Sequence, residues 1–314
     1  MRLFGKSVER RERRRRTRVL VAAVAVAAAA ASIAYGGSAA AGAARHHARH
    51  HARHHAHVQV HVRTPRSSFR VATLNVLGSN HTYRPGGYAS GRKRAVGEAA
   101  LIHELHIDLV GMSEVQPDQY AALARDLPHY VLWPQGTLGS NGYRLQIAWR
   151  RSRFTMVDSG ETTYLFADMR IPMPYALLRD RRTGATFWVV STHNSPRDMQ
   201  HQRVISTRIE DRVVNRLHAQ HQPVVFLGDL NEHGAAYCRL AAATGMLSAN
   251  GGYYRNGCHA PSPSYIDWIM GTRGTVFSDY VRDTITRTRG LSDHPIYYAN
   301  TTVTDRPVVS RSHR

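Results

Sequence analysis

From about residue 67 onward, short apolar runs alternate with segments whose apolar residues recur every three or four positions. Runs of four to eight apolar or alternating residues predict strands, and the longer period is typical of helices. The predicted strands are 69–76, 107–114, 130–133, 145–150, 175–179, 186–192, 223–228, 264–271 and 296–303. The predicted helices are 92–105, 118–127, 197–218 and 235–245.

The order of these segments predicts an α/β (α+β) domain over residues 67–303. Strands interleave with helices, but hairpin-like pairs occur around Trp149 and at Thr183-Gly184. Such a mixture is typical of a mixed β-sheet rather than a purely parallel one. A segment of this length can bury a substantial core, and no internal repeat divides it. A single domain is therefore expected.

Five apolar stretches of this domain end in an acid, an amide or an imidazole. They are TLNV with Asn75, GMSEVQ with Glu114, STHN with His193, GDLNE with Asp229 and Asn231, and finally YIDWIM plus LSDHP with Asp267, Asp293 and His294. Polar groups at the ends of buried strands lie where loops build sites. Each stretch alone is also typical of a turn, but the series predicts one shared pocket.

The residue types in these stretches indicate the chemistry. Carboxylates and an amide oxygen are hard ligands that suit Mg²⁺ or Mn²⁺ better than zinc, and the domain has no Cys or His cluster with zinc spacing. Such a site beside histidines predicts metal-assisted hydrolysis of a phosphate ester, in which a histidine takes a proton from water.

In order and wording, the stretches resemble the endonuclease/exonuclease/phosphatase superfamily, which includes DNase I-like nucleases and neutral sphingomyelinases. The resemblance covers residues 68 to about 303 and is most specific at GDLNE and SDHP, with IDWI between them. It implies a DNase I-like four-layer sandwich, in which two packed mixed β-sheets are flanked by helices.

The resemblance also implies catalytic roles. His294 would activate the attacking water as general base, and Asp267 would orient its imidazole. Asp229 and Asn231 would position the nucleophile and bind the phosphoryl oxygens, and His193 would stabilise the developing negative charge. These roles agree with general chemistry, because a histidine base needs a carboxylate to fix its tautomer and a phosphoryl transition state needs donors around its oxygens.

The metal ligands implied by the resemblance are Asn75, Glu114 and Asp293, and the expected cofactor is Mg²⁺ or Mn²⁺. One departure limits the assignment to a subfamily. Abasic-site endonucleases carry an aspartate two residues after the first-strand asparagine, and Leu77 occupies that position here. Repair of abasic DNA is therefore not the expected activity.

Residues 1–44 have the layout of a secretory signal peptide. Nine Lys or Arg residues and two Glu residues within 1–18 precede the uncharged apolar segment 19–34 and a run of small residues. The alternative is a retained anchor with the domain outside the membrane, but 16 helical residues span only about 24 Å of a core about 30 Å thick. We therefore expect cleavage and secretion.

Residues 45–66 form a low-complexity segment in which Arg-His-His-Ala occurs three times. Neighbouring imidazoles can bind transition metals, and the alternative is a solvated linker without a selected ligand. Residues 304–314 are expected to be a flexible tail. The two cysteines, Cys238 and Cys258, are expected to form a disulfide if the protein is exported, and two unpaired buried thiols are the alternative.

The formal net charge is +20, but only +6 belongs to residues 67–304, which carry 25 basic and 19 acidic side chains. This surplus favours a polyanion as partner. Arg203 follows STHN on the predicted helix and is the best candidate for a substrate contact. Tyr253-Tyr254 in a glycine-bounded loop could stack on a base or pack within the loop.

The sequence therefore predicts an exported, metal-dependent phosphodiesterase or nuclease that uses His294 as general base. One alternative is a lipid hydrolase, similar to sphingomyelinases or phosphoinositide phosphatases. A further alternative is a cell-envelope protein that binds polyanions without catalysis. No stable protein partner is implied.

Overall fold

The computed structural model describes residues 58–82 and 87–313, which contain two six-stranded β-sheets and five α-helices. The strands are β1 Val58–Arg63, β2 Arg66–Asn75, β3 Leu109–Ser113, β4 Tyr130–Trp133, β5 Leu145–Arg150, β6 Phe154–Phe166, β7 Met169–Asp180, β8 Thr186–His193, β9 Val224–Asp229, β10 Leu247–Ser248, β11 Tyr253–Tyr254, β12 Cys258–His259, β13 Asp267–Gly271, β14 Thr275–Asp283, β15 Ile296–Thr304 and β16 Val308–His313. The helices are α1 Gly91–Glu104, α2 Pro117–Asp126, α3 Gln200–His218, α4 Gly234–Thr244 and α5 Ile285–Thr288, and 3₁₀ turns lie at Ser79–His81 and Ser140–Arg144.

The two large sheets have matching arrangements. One has the strand order β14-β15-β2-β3-β5-β4, and the other has the order β10-β13-β9-β8-β7-β6. In each sheet one central pair is parallel, β2 with β3 and β8 with β9, and the other pairs are antiparallel. The predicted mixed sheets are therefore present. Because parallel neighbours end at the same edge, each sheet brings two carboxyl-terminal strand ends together.

Apolar side chains fill three layers of the structure. Phe69, Phe187 and Leu227 belong to the layer between the sheets, where Phe69 stacks on Phe187 with ring centroids 4.8 Å apart. A second layer lies under α1 and α2, and a third lies under α3 and α4. Trp149 and Trp188 are fully buried. Burial of each large apolar side chain contributes about 1.5–3 kcal/mol, so these layers fix the sheets that carry the strand ends.

The structure contains seven strands that were not predicted from the sequence: β1, β6, β10, β11, β12, β14 and β16. β6 is an edge strand whose middle is mostly exposed and whose pairing with β7 shifts register between Met156 and Asp158. An edge strand without a buried face lacks strict alternation. β1 and β16 pair with each other, in segments assigned to the linker and the flexible tail. Valine alternates with polar residues in β1, a strand pattern that the histidines obscured.

The predicted signal segment and all three Arg-His-His-Ala repeats lie outside the described residues. Within residues 58–82 and 87–313, none of the helices combines the length and the apolar character needed to cross a membrane.

Candidate active site

Strand ends from both sheets meet in one group of polar side chains. β15 runs antiparallel to β2, so the segment before β15 lies beside the end of β2. β13 runs antiparallel to β9, so the first residue of β13 lies opposite the last residue of β9. Hydrogen bonds and close contacts connect the side chains of Asn75, Glu114, His193, Asp229, Asn231, Asp267 and His294.

His294 and Asp267 form a hydrogen-bonded pair within this group. Nδ1 of His294 lies 2.9 Å from Oδ2 of Asp267 and 3.7 Å from Oδ2 of Asp229. Because a carboxylate can only accept, Nδ1 donates, and Nε2 is left to exchange a proton with another partner. Burial alone would lower the pKa of His294, but the charge and hydrogen bond of Asp267, together with the charges of Asp229 and Asp293, raise this pKa to about 10.

Asp229 is the buried centre of the group. Its Oδ1 accepts a hydrogen bond from the backbone N–H of Asn231 (2.8 Å), and its Oδ2 accepts one from Nδ2 of Asn75 (3.2 Å). Burial and the neighbouring charge of Asp267 raise the pKa of Asp229 to about 6. Amide donors thus hold Asp229, and Nδ1 of His294 lies beside both this carboxylate and that of Asp267 on the adjacent strand.

Gly228 allows β9 to approach β8 closely just before Asp229. It has a φ of +155°, and a Cβ at this position would lie 2.1 Å from the carbonyl oxygen of Thr192. Only glycine can occupy such a position without moving the backbone. The absence of a side chain here therefore helps to set the position of Asp229.

His193, at the end of β8, faces Asn231 and Asp229. Its Nε2 lies 3.1 Å from Nδ2 of Asn231 and 3.5 Å from Oδ2 of Asp229. Tyr164 fixes the backbone of His193, because its hydroxyl donates to the carbonyl oxygen (2.6 Å) and accepts from the N–H (2.8 Å). Burial lowers the pKa of His193 more than Asp229 and Glu114 raise it. The imidazole is therefore neutral at pH 7.

Asn75 and Glu114 form the side of the group that belongs to the first sheet. Nδ2 of Asn75 donates to Oε1 of Glu114 (3.0 Å), and Oε2 of Glu114 accepts from the N–H of Gly78 (2.9 Å). Burial alone would raise the pKa of Glu114, but His193 and these two hydrogen bonds together lower it by more, so the pKa lies below its ordinary value. Glu114 is thus an ionised carboxylate on a backbone with a φ of +66°, a strained conformation that is common at functional sites.

The donor set around Glu114 fits the divalent cation predicted from the sequence. The Nδ2 of Asn75 lies between the carboxylates of Glu114 and Asp229, so two anions converge on one positively polarised group. Carboxylate and amide oxygens are the ligands that Mg²⁺ prefers. Oδ1 of Asn75 accepts from the N–H of Leu77 (3.0 Å), so the Asn75 side chain would have to rotate away from this partner to offer its oxygen to a cation.

A second set of potential metal ligands overlaps this group. Among the described residues, this set consists of Asp229, Asp267 and His294. Each offers one ligand atom, a carboxylate oxygen or a ring nitrogen, and the three atoms lie within 4.8 Å of one another. A cation held by all three would break the hydrogen bond between Asp267 and His294. Asp293, the third ligand implied by the resemblance, is exposed and lies next to His294 in the chain. Its role as a ligand remains a prediction.

Arg203, the predicted substrate contact, is bound to the protein itself. Its side chain is almost fully buried, and Nη1 donates to the carbonyl oxygens of Ser195 (2.9 Å) and Arg197 (2.8 Å). Its Nε lies 3.6 Å from Glu232, which also pairs with Arg239. As placed, Arg203 connects the loop after His193 to the loop after Asn231, and a contact with substrate remains a prediction.

Other residues that hold the site were not recognised in the sequence. Glu210 of α3 is fully buried and accepts hydrogen bonds from Thr192 (2.7 Å) and Asn194 (3.3 Å), on either side of His193. Burial raises its pKa to about 7. In the sequence, the only sign of a role for Glu210 is its position on the inner face of a predicted helix. Residues with a purely structural role are also typical of that position.

The loop before β15 has its own supports. Ser292 donates to the carbonyl oxygen of Asn75 (2.6 Å) and accepts from the N–H of His294 (3.0 Å). Nη1 of buried Arg94 donates to the carbonyl oxygens of Val76 (2.6 Å) and Leu291 (3.0 Å). These bonds join the end of β2 to the loop that carries His294.

Comparison with known proteins identifies the relatives of this site. The sequence model of the Endonuclease/Exonuclease/phosphatase family matches residues 72–294. This range contains the two most specific stretches, GDLNE and SDH. No curated protein matches the sequence.

Solved structures show the same fold at low sequence identity. An endonuclease/exonuclease/phosphatase family protein from Bacteroides thetaiotaomicron is 18% identical, with a TM-score of 0.59 over 76% of this chain and 98% of that chain. The mannosyl-6-phosphatase from the same species is 17% identical, with a TM-score of 0.58 over 74% and 99%. D. rerio TDP2, complexed with a single-strand DNA product, is 16% identical, with a TM-score of 0.58 over 75% and 99%. The predicted DNase I-like sandwich is confirmed.

Proposed function

The chain belongs to the endonuclease/exonuclease/phosphatase family and is a phosphoric ester hydrolase, and from this premise we propose that it is an exported, divalent-metal-dependent phosphodiesterase that cleaves nucleic acid. The observation that carries the catalytic part is the pair of His294 and Asp267, 2.9 Å apart, beside the buried carboxylate of Asp229. A base, its orienting acid and a second anion at converging strand ends form the arrangement that hydrolysis of a phosphate ester requires.

His294 acts on the attacking water. Without a cation, the raised pKa keeps His294 protonated at pH 7. A cation held beside Glu114 and Asp229 would oppose the carboxylate charges that raise this pKa, and Nε2, with Nδ1 bound to Asp267, would then be free to accept the proton of the water as its oxygen attacks phosphorus. The resulting imidazolium is stabilised by Asp267 and Asp229, which lie 2.9 and 3.7 Å from Nδ1. General base catalysis of this kind contributes about 10²- to 10⁴-fold to the rate.

The phosphoryl group would be held by residues at the ends of β8 and β9, in the sheet that runs from β10 to β6. Asn231 and His193 would bind the oxygens on which charge develops. In the structure Nδ2 of Asn231 donates to the carbonyl oxygen of Asn194 (2.8 Å) and lies 3.1 Å from Nε2 of His193, so one of these bonds would be exchanged for a bond to the phosphate. Asp229 fixes Asn231 through the 2.8 Å bond from its backbone N–H. On the other side, Asn75 and Glu114 would hold Mg²⁺ or Mn²⁺, and the bound cation would neutralise the surrounding carboxylates and polarise the phosphate ester.

Charge and similarity support nucleic acid as the substrate. The residues of the domain carry a surplus of six positive charges, which favours a polyanion. The structure of D. rerio TDP2, which has the same fold, contains a single-strand DNA product. A nuclease held by phosphate contacts should bind less tightly as salt rises, because each neutralised phosphate releases about one counterion.

Export is supported by the signal-like segment and by the cysteines. Cys238 and Cys258 are joined by a disulfide, with Cα atoms 5.4 Å apart. Structural disulfides persist in oxidising compartments and are rare in the cytosol. Secretion of the mature enzyme follows as part of the proposal.

The experiment that tests the proposal measures hydrolysis by the purified protein with Mg²⁺. The substrates are plasmid DNA, RNA, sphingomyelin and a phosphoinositide, each with and without a chelator. We expect cleavage of nucleic acid that is lost on chelation and restored by Mg²⁺ or Mn²⁺. Intact nucleic acid beside rapid release of phosphocholine or inorganic phosphate would refute the nuclease and favour a lipid hydrolase.

A further inference from the structure

The hairpin of β11 and β12 carries exposed aromatic rings that the catalytic group does not use. Tyr253 lies opposite His259, and the two rings stack with centroids 4.4 Å apart and an angle of 20° between their planes. The Tyr253 side chain is 48% exposed, and His259 is also exposed. We call these two residues the stacking platform. A flat exposed ring is the surface on which unpaired bases stack.

The stacking platform is held firmly to the body of the domain. The disulfide from Cys258 ties the hairpin to α4 at Cys238. Gly252, at the start of the hairpin, lies so close to α4 that a Cβ would be 3.1 Å from the ring of Tyr237. Tyr237 in turn stacks on Trp268, with centroids 5.5 Å apart. A rigid surface loses little entropy when it binds a ligand.

The stacking platform lies near the catalytic strand ends. Ala260 follows His259 and lies against Gly234: a Cβ added to Gly234 would be 2.8 Å from the Cβ of Ala260. Gly234 is three residues after Asn231, so their Cα atoms are at most about 11 Å apart. With the steps from Gly234 through Ala260 to His259 added, the Cα atoms of Asn231 and His259 are at most about 20 Å apart. A strand that advances about 3.4 Å or more per nucleotide covers this distance in about six nucleotides or fewer.

The chain around the hairpin is suited to a phosphate backbone. Residues 233–266 contain no Asp or Glu. Of the two arginines among them, Arg239 pairs with Glu232, and Arg255 remains as the basic side chain of the hairpin. Arg255 is exposed at the hairpin turn. Basic side chains interleaved with exposed aromatic rings are typical of surfaces that bind single-stranded nucleic acid.

We propose that the stacking platform binds a nucleobase of the strand whose phosphate lies at His294, a few nucleotides from the cleaved bond. This inference rests on the proposed nuclease function and extends it to a preference for unpaired bases. A duplex keeps its bases stacked within the helix, so the platform should favour single-stranded ends, loops or melted segments.

The test compares two substrates of the full-length enzyme and its Tyr253→Ala variant. The first is a single-stranded oligonucleotide of about 15 nucleotides, long enough to cover both surfaces. The second is a small chromogenic phosphodiester that reaches only the catalytic group. We expect Tyr253→Ala to raise KM for the oligonucleotide about tenfold or more, and to leave kcat and KM for the chromogenic ester unchanged.

Two variants serve as matched controls. Tyr253→Phe keeps the ring and should retain the wild-type KM. Tyr254 is 49% exposed in the same strand, but successive residues of a strand point to opposite faces. Tyr254→Ala should therefore leave the oligonucleotide KM unchanged.

The outcomes separate the inference from the proposed function. If wild type cleaves the oligonucleotide and Tyr253→Ala has the same KM, the stacking platform is refuted and the nuclease stands. If wild type cleaves the chromogenic ester but no oligonucleotide, the nuclease function fails and the inference fails with it. Loss of binding to anionic lipid vesicles in Tyr253→Ala, without any change in the oligonucleotide KM, would also overturn the inference.

Discussion

Gly228→Ala is the substitution whose effect follows most directly from the geometry. The new Cβ would lie 2.1 Å from the carbonyl oxygen of Thr192 and 2.8 Å from its methyl carbon. Backbone atoms on both sides of this contact belong to the ladder between β8 and β9. The added Cβ and the carbonyl oxygen of Thr192 are both fixed to these backbones and cannot rotate away from each other. The two strands must therefore separate by about 1 Å to bring these two atoms to ordinary contact distance.

That displacement falls directly on Asp229, the next residue of β9. A misplacement of about 1 Å in a catalytic group costs about a hundredfold in rate. Overpacking of this kind destabilises a fold by about 1–3 kcal/mol, and the φ of +155° adds strain for any residue with a Cβ. We therefore expect Gly228→Ala to fold, to be measurably less stable, and to lose about two orders of magnitude in kcat.

The assay pairs turnover of a chromogenic phosphodiester with urea denaturation. Gly184→Ala is the matched control, because Gly184 has a φ of +78° but no atom within 4 Å of an added Cβ, in the turn before β8. The control should lose stability and keep its turnover. Full activity in a folded Gly228→Ala would show that the close approach of β9 does not position Asp229.

The remaining predictions concern the groups that support the site. Burial raises the pKa of Glu210 from its ordinary 4.5 to about 7, so between these two pH values the native chain keeps a proton that the unfolded chain has released. The free energy of unfolding therefore falls as pH rises from about 4.5 to about 7. Glu210→Gln should flatten this part of the plot of unfolding free energy against pH. An unchanged pH slope would contradict this. Arg203→Lys should lower kcat several-fold with little change in KM, because one ammonium cannot occupy both the position of Nη1, which donates to two carbonyl oxygens, and the position of Nε beside Glu232; a raised KM with unchanged kcat would instead support the predicted substrate contact. Replacing Cys238 and Cys258 together by alanine should lower the free energy of unfolding by about 3 kcal/mol, for a sequence separation of 20 residues, without changing turnover of the chromogenic ester; equal stability in urea would contradict the structural role of the bond.

The central strands could be predicted because burial leaves a clear pattern. The bounds predicted for β5 and for the edge strand β4 agree with the structure, and the central strands β2, β3, β8, β9, β13 and β15 differ by up to three residues at their ends. The long edge strands β6 and β14 were missed because most of their side chains are at least partly exposed and each strand has a register shift, so neither shows a regular alternation. Edge strands are specified by their neighbours more than by their own sequence.

The side chains that act as acids, bases or ligands could be predicted from the sequence. The residues that hold those side chains in place could be predicted much less well. Acids, amides and imidazoles at strand ends stand out in a sequence, and the structure connects seven of those that were named. Arg94 and Arg203 act through backbone carbonyl oxygens of distant loops. Such bonds depend on where the chain returns in space, and no local pattern records that.

Turnover of His294→Ala, Asp267→Ala and the double variant on a chromogenic phosphodiester with Mg²⁺ tests the central claim most directly. His129→Ala removes an exposed imidazole at the opposite end of the sheet and controls for the loss of a histidine. We predict that His294→Ala lowers kcat at least about a hundredfold, and that the double variant is no slower, because Asp267 acts through His294. Turnover near that of wild type in folded His294→Ala, or losses that multiply in the double variant, would contradict the assignment of His294 and Asp267 as a base and its orienting acid.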